Sequence, residues 1–459
     1  MSTRPDQPKS IAVVGGGISG LAVAHALVER AAALARPVDV RLFEQASRLG
    51  GTMFTEPAGG FHVEWGPNGF LDSKPHTAEL AARLGLADAL LPASDASSRR
   101  WVLSRGRLRP IPTSPQRFLF SSLLSMSAKW RVLREPAAPP PPDGVDETIA
   151  AFARRRLGPE TAARLIDPFV SGVFSGDPET LSVRSAFPRL VELEREYGSL
   201  LRASRKLKAK GAGPAGKLTS FTGGMSTLVS ALAKSLGPRA ATRAAASALT
   251  RGSGDTLSLT VDGEARAFDA VVLATPTTTT QRLLAPLDDA FVAPLAHIPY
   301  AAVAVVALGF ARESVAHPLD GFGFLIPSEE RQPILGCLFD SSAFPGHRAP
   351  PGHVLLRAFV GGARAPERVD EDDAALVRLV RGVLDPLLGL RGEPVLTRVV
   401  RHRSAIPQYV VGHADRVAAI DAAAARVPGL CVAGNALRGV GVNDCTREAE
   451  AVAARVLSS

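Results

Sequence analysis

The chain has 459 residues, of which 46% are hydrophobic and 21% are charged. That length predicts two or more packed units, and that composition excludes a disordered protein. The net charge of +9 is unevenly distributed along the chain. Residues 96–134 hold nine basic side chains and residues 197–254 hold ten, and neither stretch contains an acidic one. The rest of the chain has 34 basic and 44 acidic side chains. Two local basic surfaces on a mildly acidic body are not typical of a nucleic-acid-binding protein, and we expect no such partner.

The cysteines and the hydropathy pattern bear on the compartment. Cys337, Cys431 and Cys445 are too few and too scattered for a disulfide framework or a C-x-x-C metal site, which favours a reducing compartment. The apolar run from Ile11 to Val28 imitates a signal peptide, but its four glycines have a better explanation below. Polar residues or glycines interrupt the apolar runs within about 18 residues, so we expect no transmembrane helix.

The first predicted element is a short buried strand, Ile11–Val14, which Gly15-Gly16-Gly17-Ile18-Ser19-Gly20 and a helical pattern follow directly. This is a G-x-G-x-x-G sequence in the strand, tight turn and helix context that makes it meaningful. Gly15 allows the turn, Gly17 lets the backbone approach a pyrophosphate, and Gly20 permits close helix–strand packing. The sequence therefore predicts a dinucleotide-binding unit in which the helix N-terminus attracts the phosphates.

The next block distinguishes a flavin from a nicotinamide dinucleotide. A second strand, predicted at Val38–Phe43, ends at Glu44, where a carboxylate can accept hydrogen bonds from both ribose hydroxyls of an adenosine. The following segment, Arg48-Leu49-Gly50-Gly51-Thr52, lets the chain fold back over the pyrophosphate. A strand and turn over 61–70, containing Gly66-Pro67-Asn68-Gly69, would deliver backbone amides towards a flavin ring. Nicotinamide dehydrogenases do not usually carry this second block, so the pattern indicates a flavin.

The C-terminal residues supply a second glycine-rich turn. A strand is predicted at 429–433, Gly434 and Asn435 turn away from it, and Gly439-Val440-Gly441-Val442-Asn443-Asp444 leads into a helix over 446–457. The dipole of that helix can lie near flavin N1 and C2=O, where negative charge develops on reduction. Alone this is an ordinary strand–turn–helix, and it indicates a cofactor site only together with the N-terminal block.

These blocks resemble the superfamily of flavin-dependent amine oxidases, phytoene desaturases and protoporphyrinogen oxidases, and within it the bacterial, oxygen-dependent protoporphyrinogen oxidases. The similarity runs nearly end to end, and its most specific parts are Ser171–Pro178 and Ile406–Tyr409. The resemblance implies non-covalent FAD and the six-electron oxidation of protoporphyrinogen IX to protoporphyrin IX in haem biosynthesis, with oxygen as acceptor and hydrogen peroxide as product. Oxidation of coproporphyrinogen III to coproporphyrin III on the same scaffold is an alternative.

The resemblance also implies the site residues. Arg100 would bind a propionate of the tetrapyrrole, and a planar guanidinium suits a carboxylate because it can donate two hydrogen bonds to it. The carbonyl of Gly172 would face the macrocycle, which Leu325, Leu338 and Phe359 would enclose. Ala246 stands where the family has a valine that contacts the adenine, in a stretch that we expect to have little strand character. The residues implied to hold FAD are Gly15, Gly16, Gly17, Ile18, Ser19, Gly20, Glu44, Arg48, Gly50, Gly51, Thr52, Gly66, Pro67, Asn68, Gly69, Ala246, Gly434, Asn435, Val440, Gly441 and Val442.

No side chain is predicted to act as a catalytic acid or base, and no metal site is predicted. The nine histidines lie singly, and His402 stands between Arg401 and Arg403, a poor place for a base. Hydride transfer from a ring carbon to flavin N5 needs positioning and a dry slot instead.

Amine-oxidising relatives typically carry a lysine in the C-terminal half, and none occurs after Lys234, which makes amine oxidation a lower-ranked alternative. A non-enzymatic escort of prenylated GTPases is a further alternative, and it would bind no flavin.

Residues 118–133 combine large apolar side chains with neighbouring cations at Arg117, Lys129, Arg131 and Arg134. This basic amphipathic pattern is typical of a membrane-interface helix or of a surface helix packed on a domain. The resemblance favours peripheral attachment to an anionic membrane, at the cytoplasmic face of the inner membrane, because the substrate is poorly soluble. It also leaves open a homodimer and a transient contact with ferrochelatase.

We therefore expect an α/β flavoprotein with three parts. A discontinuous, Rossmann-like FAD-binding domain takes residues 1–90, 217–284 and 406–459. An α-helical, membrane-facing domain takes residues 91–216, and a mixed-sheet substrate domain takes residues 285–405.

Overall fold

The computed structural model describes residues 8–141, 144–209 and 216–458, which form a mixed α/β fold. The strands in these ranges are β1 (Lys9–Val14), β2 (Val38–Glu44), β3 (Thr55–Ala58), β4 (Phe61–Glu64), β5 (Phe70–Leu71), β6 (Leu90–Pro92), β7 (Trp101–Ser104), β8 (Arg107–Pro110), β9 (Leu218–Phe221), β10 (Ala240–Thr242), β11 (Ala246–Arg251), β12 (Leu257–Val261), β13 (Glu264–Phe268), β14 (Ala270–Leu273), β15 (Tyr300–Ala311), β16 (Gly323–Leu325), β17 (Ile334–Phe339), β18 (His353–Gly361), β19 (Leu396–Pro407) and β20 (Leu430–Val432).

The helices alternate with these strands and cluster between β8 and β9. The α-helices are α1 (Ile18–Ala33), α2 (His76–Arg83), α3 (Pro115–Phe120), α4 (Met126–Leu133), α5 (Ile149–Leu157), α6 (Pro159–Thr161), α7 (Asp167–Phe174), α8 (Val183–Ala186), α9 (Pro188–Tyr197), α10 (Leu200–Ala209), α11 (Ser226–Leu236), α12 (Thr277–Leu284), α13 (Val292–Ala296), α14 (Asp340–Ala343), α15 (Asp373–Leu388), α16 (His413–Ala425) and α17 (Val442–Ser458). A π-helical turn, Ala162–Ile166, joins α6 to α7.

A parallel five-stranded sheet in the order β10-β2-β1-β14-β20 forms the first core. Its central strand β1 is fully buried from Ile11 to Val13, as expected for a parallel sheet covered on both faces. Helices α1, α11 and α17 pack on one face, and the β11–β13 hairpins with α12, α13 and α16 pack on the other. Because the strands are parallel, the turns after β1, β2 and β20 meet at one edge of the sheet.

A seven-stranded sheet in the order β19-β15-β18-β17-β16-β7-β8 forms the second core. Its described pairs are antiparallel except β16–β7. Side chains alternate between its faces: Ala304 and Val306 pack towards α15, whereas Val303 and Val305 point to the opposite face. Strands β7 and β8 lie in the range 91–216, yet they extend the sheet of the predicted substrate domain, so the predicted boundary at residue 91 does not follow the sheet.

The prediction of one amphipathic helix over 118–133 is wrong. Helix α3 ends at Phe120 and α4 starts at Met126, where the hydroxyl of Ser125 accepts a hydrogen bond from the N–H of Ala128 at 3.2 Å. Serines favour such caps over a helix interior, which explains why the helix is interrupted between Ser121 and Ser125. Among the described residues, we find no helix that combines the length and apolarity needed to cross a membrane.

Two further local predictions need correction. The sequence predicts little strand character around Ala246, but this residue is the first of β11, which pairs with β12 with a register shift between Ala246 and Ala248. That pairing, with Leu249 fully buried, outweighs the low β-propensity of alanine. The C-terminal helix begins at Val442, four residues before the predicted start, so its first turn lies within the predicted cofactor segment.

Candidate active site

A cavity of about 740 Å³ is lined by residues from the carboxyl edge of the parallel sheet, one face of the seven-stranded sheet, and helix α7. This volume lies in the range of cofactor and substrate sites. Of the predicted site residues, the ones that line it are Gly15, Gly17, Ile18, Ser19, Glu44, Gly50, Gly51, Thr52, Gly66, Pro67, Asn68, Gly69, Gly172, Ala246, Leu325, Leu338, Phe359, Gly434, Asn435, Val440, Gly441 and Val442. Gly16, Gly20, Arg48 and Arg100 lie outside the lining.

The glycines after β1 have separate geometric roles. Gly15 has φ +106°, which L side chains rarely adopt, and a Cβ at Gly20 would overlap the carbonyl oxygen of Gly15. A Cβ at Gly17, in contrast, would meet no atom of the protein within 4 Å, so this position opens onto the cavity. Gly17 also precedes α1 without a side-chain cap, which leaves the first amides of the helix available to an anion.

Glu44 lies at the end of β2 and lines the same part of the cavity. Its carboxylate accepts hydrogen bonds from the N–H groups of Gly16 at 2.7 Å and Ala46 at 2.8 Å. These two bonds hold the carboxylate beside the glycine turn and leave it lone pairs for a further donor. Gly16 does not line the cavity itself, and its N–H contributes by positioning the Glu44 carboxylate that does.

Arg48 lies behind the cavity wall. Its guanidinium carbon is 4.6 Å from the ring centroid of Phe54 and 4.9 Å from that of Trp65, and Trp65 lines the cavity. Burial lowers the pKa of Arg48. The side chain therefore supports the wall by stacking on aromatic rings, and its contact with the cavity is indirect.

The face of the seven-stranded sheet forms a largely apolar wall. Gly336 lies between Leu325 and Phe359 in one cross-strand row, and Leu338 is paired with Arg357 in the next. Leu325, Leu338 and Phe359 are partly exposed, whereas Phe324, Cys337 and Ala358 between them are buried on the α15 side. The predicted apolar residues are therefore brought together on one face of the sheet, towards the cavity.

Helix α7 closes this wall from the opposite side. A Cβ at Gly172 would lie 2.7 Å from Cδ2 of Leu325, so the helix approaches the sheet more closely than another residue would allow. Arg364 holds the helix at both ends, at 2.6 Å from Asp167 and 2.8 Å from Asp177.

Arg100 lies at the edge of this region and is exposed. Its guanidinium carbon is 5.9 Å from the ring centroid of Phe322, which lines the cavity. Among the described residues it forms no ion pair, whereas its neighbour Arg99 pairs with Asp320. Arg100 is therefore a cation with its hydrogen-bonding groups available next to the apolar wall.

A buried charge cluster that no sequence motif indicated adjoins the wall, and its residues Arg357 and Asn68 belong to the cavity lining. Arg357 is fully buried and donates from Nε to Asp340 at 2.7 Å and from Nη1 to the carbonyls of Glu64 at 3.0 Å and Gly66 at 2.8 Å. Asn68 donates to the same Asp340 carboxylate at 3.0 Å. No motif joins residues so far apart, and the one signal in the sequence is the two-residue spacing of positions 357 and 359, which puts both on one face of a strand.

Glu64 is the second acid of this cluster. It accepts hydrogen bonds from the hydroxyl of Thr55 and the N–H of Met225, both at 2.9 Å, and lies 3.5 Å from Arg348. Burial is the largest influence and raises the pKa of Glu64 to about 7. The two arginines and the hydrogen bonds oppose that rise.

Burial keeps three titratable side chains of the lining, Cys445, Tyr300 and His402, in their neutral forms. Burial raises the pKa of Cys445 to about 12, raises that of Tyr300, and lowers that of His402. Nε2 of His402 is 2.8 Å from the carbonyl oxygen of Trp65, so this nitrogen carries the proton. His402 lines the cavity, which its position between two arginines did not suggest, but it is tied to the wall.

The arrangement fits FAD. The open position at Gly17 and the uncapped start of α1 suit the diphosphate, Glu44 suits an adenosine ribose, and the turn before α17 places a helix N-terminus on the same cavity. These features define an FAD-dependent oxidoreductase. The profile of the family described as "Flavin containing amine oxidoreductase" matches residues 18–457, and the chain belongs to this family.

Individual relatives extend the comparison over the whole chain. Coproporphyrinogen III oxidase of Bacillus subtilis (strain 168) is 31% identical over 99% of both chains. Protoporphyrinogen oxidase 1 of Spinacia oleracea is 33% identical over 97% of this chain and 83% of its own. A solved structure described as a proposed protoporphyrinogen oxidase from Exiguobacterium sp. 255-15 has 28% identity and a TM-score of 0.85, covering 99% of this chain and 100% of its own. Cyclohexylamine oxidase from Brevibacterium oxydans, at 17% identity, a TM-score of 0.69 and coverage of 98% and 100%, shares the fold alone.

Proposed function

We propose that the chain oxidises protoporphyrinogen IX to protoporphyrin IX in haem biosynthesis, with oxygen as the acceptor. The observation that carries the proposal is one continuous cavity that joins the dinucleotide cradle at Gly17 to the apolar wall of Leu325, Leu338 and Phe359. A porphyrinogen is a large apolar ring with carboxylates at one edge, and it needs both features side by side. The relatives from spinach and B. subtilis, each named as a porphyrinogen oxidase, support this substrate class.

The reaction removes six electrons and six protons from the ring, so three molecules of oxygen become three molecules of hydrogen peroxide. FAD, when bound, accepts the hydride equivalents. The residues of the chain orient the ring and exclude water: the three apolar side chains form one wall of the slot, and Gly172, which packs against Leu325, lets the backbone of α7 close the slot beside them. Arg100 fixes a propionate at the edge.

The proposal requires no side-chain base. Cys445, Tyr300 and His402 are held in neutral forms, and the Nε2–H of His402 donates a hydrogen bond to the Trp65 carbonyl. The gain of conjugation drives the removal of hydrogen, so positioning in a dry slot is the main contribution of the protein.

Coproporphyrinogen III is the second candidate substrate. The relatives from B. subtilis and Propionibacterium freudenreichii, at 31% and 33% identity, are both named coproporphyrinogen III oxidases. The cavity lining argues against this substrate. Among the described lining residues, the single arginine or lysine is Arg357, and its guanidinium already pairs with Asp340. Arg100 at the edge suits a ring with two carboxylates better than one with four.

Turnover of the two porphyrinogens tests the proposal. The FAD-loaded protein is given each substrate in turn, and porphyrin fluorescence and oxygen uptake are recorded together. We expect a higher kcat/KM for protoporphyrinogen IX and three oxygen molecules consumed per porphyrin. A higher value for coproporphyrinogen III would select the second candidate, and no turnover of either would refute porphyrinogen oxidation. Oxidation of a primary amine instead would support the amine oxidase alternative.

We also propose that residues 91–216 face an anionic membrane on the cytoplasmic side. Although α3 and α4 are separate, both expose large apolar side chains: Phe120 is 90% exposed, Met126 64% and Trp130 63%. Lys129, in contrast, is buried and donates to the carbonyl of Leu119 at 2.8 Å, so it contributes less to the surface than its sequence position suggested.

Sedimentation with vesicles tests this surface. The wild type should bind vesicles with anionic lipid at low salt and be released by salt. The double variant F120A/W130A should bind about tenfold less, since it lacks two exposed apolar side chains that the lipid interface would bury. Leu34→Ala, an exposed apolar residue just beyond α1, is the control and should bind as the wild type does. Absence of wild-type binding at low salt would refute the proposal.

A further inference from the structure

The wall of the cavity between β20 and α17 is a glycine-containing turn. Its side chains Leu437 and Arg438 lie outside the cavity lining, where Leu437 packs in the core and Arg438 pairs with Asp421 and Glu448. Gly434, Asn435, Val440 and Gly441 line the cavity, and both Gly434 and Gly439 have φ above +110°. A backbone turn of this kind can adopt many conformations when free. Its fixed shape must therefore come from contacts on the side away from the cavity.

Tyr409 makes the central contact on that outer side. Its side chain is 2% exposed, and its hydroxyl donates to the carbonyl of Asn435 at 2.5 Å and accepts from the N–H of Gly439 at 2.7 Å. One hydroxyl thus bridges both ends of the turn. Burial raises the pKa of Tyr409, so the hydroxyl keeps the proton that the bond to Asn435 needs.

Two neighbours hold Tyr409 itself in place. The ring of His413 stacks on the Tyr409 ring at 4.0 Å with an angle of 15°, and its Nε2 is 3.1 Å from the carbonyl of Leu437 in the same turn. On the other side, the ring of Phe174 lies 6.1 Å away. Phe174 ends α7, the helix that carries Gly172, so Tyr409 also links the turn to the opposite wall of the cavity.

Three backbone groups of the turn are therefore occupied from outside, at Asn435, Leu437 and Gly439. Glu448 of α17 accepts from the N–H of Gly434 at 3.0 Å and adds a fourth contact. Gly441 and Val442, which follow directly, line the cavity, so these four contacts determine where the start of α17 meets it.

We propose that Tyr409 is a positioning residue for FAD: its hydroxyl fixes the distance between Asn435 and Gly439 and so shapes the cofactor-facing turn before binding. A turn that is already ordered loses less conformational entropy when the cofactor binds. Tyr409 does not line the cavity, so its effect on FAD is transmitted by the turn. The inference depends on FAD binding and not on which porphyrinogen is oxidised.

The conservative variant Tyr409→Phe tests this role because it keeps the ring and its stacking on His413 but removes both hydrogen bonds. We expect the Kd for FAD, measured from flavin fluorescence on titration of the apoprotein, to rise about tenfold or more. The gain in Tm on addition of FAD should shrink, and the visible circular dichroism of bound flavin should change because the turn is no longer held in one conformation.

Two further variants make the result decisive. Tyr197→Phe is the matched control, since Tyr197 ends α9 outside the cavity lining, and it should leave the Kd for FAD unchanged. His413→Phe keeps a ring for stacking but loses the bond to Leu437, so it should give a smaller rise in Kd, and it serves as the test if Tyr409→Phe does not fold. A Kd within about twofold of wild type in the folded variants, with equal losses of Tm in apoprotein and holoprotein, would show a purely structural role and overturn the proposal.

Discussion

The two ends of the cavity are lined by different parts of the chain, one mainly by backbone and the other mainly by side chains. At the cofactor end the lining is mainly backbone, with glycines at positions such as Gly15, Gly17 and Gly434 and one carboxylate, Glu44. At the other end it is mainly side chains, among them Leu325, Leu338 and Phe359, carried by strands of one sheet. A cofactor with a diphosphate needs amides and a helix N-terminus, whereas a large apolar substrate needs a surface without competing donors.

Because of this difference, the two ends should be sensitive to different amino-acid substitutions. A backbone site fails when a Cβ is added, because the space is taken by the fold or by the ligand. A side-chain site fails when the layer beneath it loses its support, and here that layer contains the buried pair Arg357–Asp340, which holds both the sheet and the wall at Gly66.

Arg357→Leu should have the largest effect on stability. It leaves the Asp340 carboxylate buried with Asn68 as its main remaining donor, and removing one partner of a buried ion pair typically costs about 3–5 kcal/mol. Urea unfolding of the apoprotein measures the loss. The double variant R357L/D340L removes both charges and should recover a large part of it. A loss below about 1 kcal/mol in the single variant would mean that the pair does not support the wall.

Glu64→Gln should change how stability depends on pH. Because burial raises the pKa of Glu64 from 4.5 to about 7, the folded state holds this proton more tightly than the unfolded state. Its favourable contribution is complete below pH 4.5 and is lost as the pH rises through 7, by at most about 3 kcal/mol. Relative to wild type, the variant should therefore gain Tm between pH 5 and pH 8.

The control for this pH effect is Glu192→Gln, which removes a carboxylate from an exposed pair with Arg189. Its difference from wild type should be small and alike at the two pH values, since exposed pairs contribute little. If Glu64→Gln behaves in the same way, the Arg348 and Arg357 charges keep Glu64 ionised throughout, and the cluster has no titrating member.

The cofactor end was largely predictable from the sequence because its residues are contiguous. The turn Gly15–Gly20, the acid after β2 and the glycines before α17 each occur within a few residues, and local sequence sets local backbone. The first turn of α17 was missed, and Ala246 was placed outside a strand, since pairing with β12 decides that position. These exceptions are set by tertiary contacts and not by local propensity.

The other end could not be derived in the same way. Leu325, Leu338 and Phe359 are ordinary core residues by composition, and only the resemblance to known oxidases singled them out. The cross-strand register aligns Leu338 with Arg357, and the contact of Arg357 with Gly66 joins positions 291 residues apart. No pattern in the sequence encodes such a contact, so the buried charges appeared only in the structure.

Two glycine substitutions test the cofactor end. Gly20→Ala places a Cβ against the carbonyl of Gly15 and should lower the stability of the apoprotein by about 1–3 kcal/mol. Gly17→Ala meets no protein atom within 4 Å, so the apoprotein should keep its Tm while the Kd for FAD rises about tenfold, because the diphosphate needs that space. Thermal unfolding without FAD and titration with FAD separate the two results. Equal losses of stability would contradict the assignment of Gly17 to the ligand.

Arg100→Ala should have the smallest effect and acts on the proposed substrate. Loss of one charge-assisted contact at an exposed position should raise KM for protoporphyrinogen IX about tenfold, with a smaller change in kcat. Arg99→Ala is the matched control, since it removes an equal charge from the same stretch but one that is paired with Asp320. If the basic residues 96–134 attract the substrate only through their general electrostatic field, the two variants should raise KM equally. That rise should also become smaller in salt, since exposed charges are screened beyond about 8 Å at physiological ionic strength. A specific contact predicts instead that only Arg100→Ala raises KM, and that part of its effect persists in salt, because a propionate held at hydrogen-bond distance is screened less than one attracted from afar.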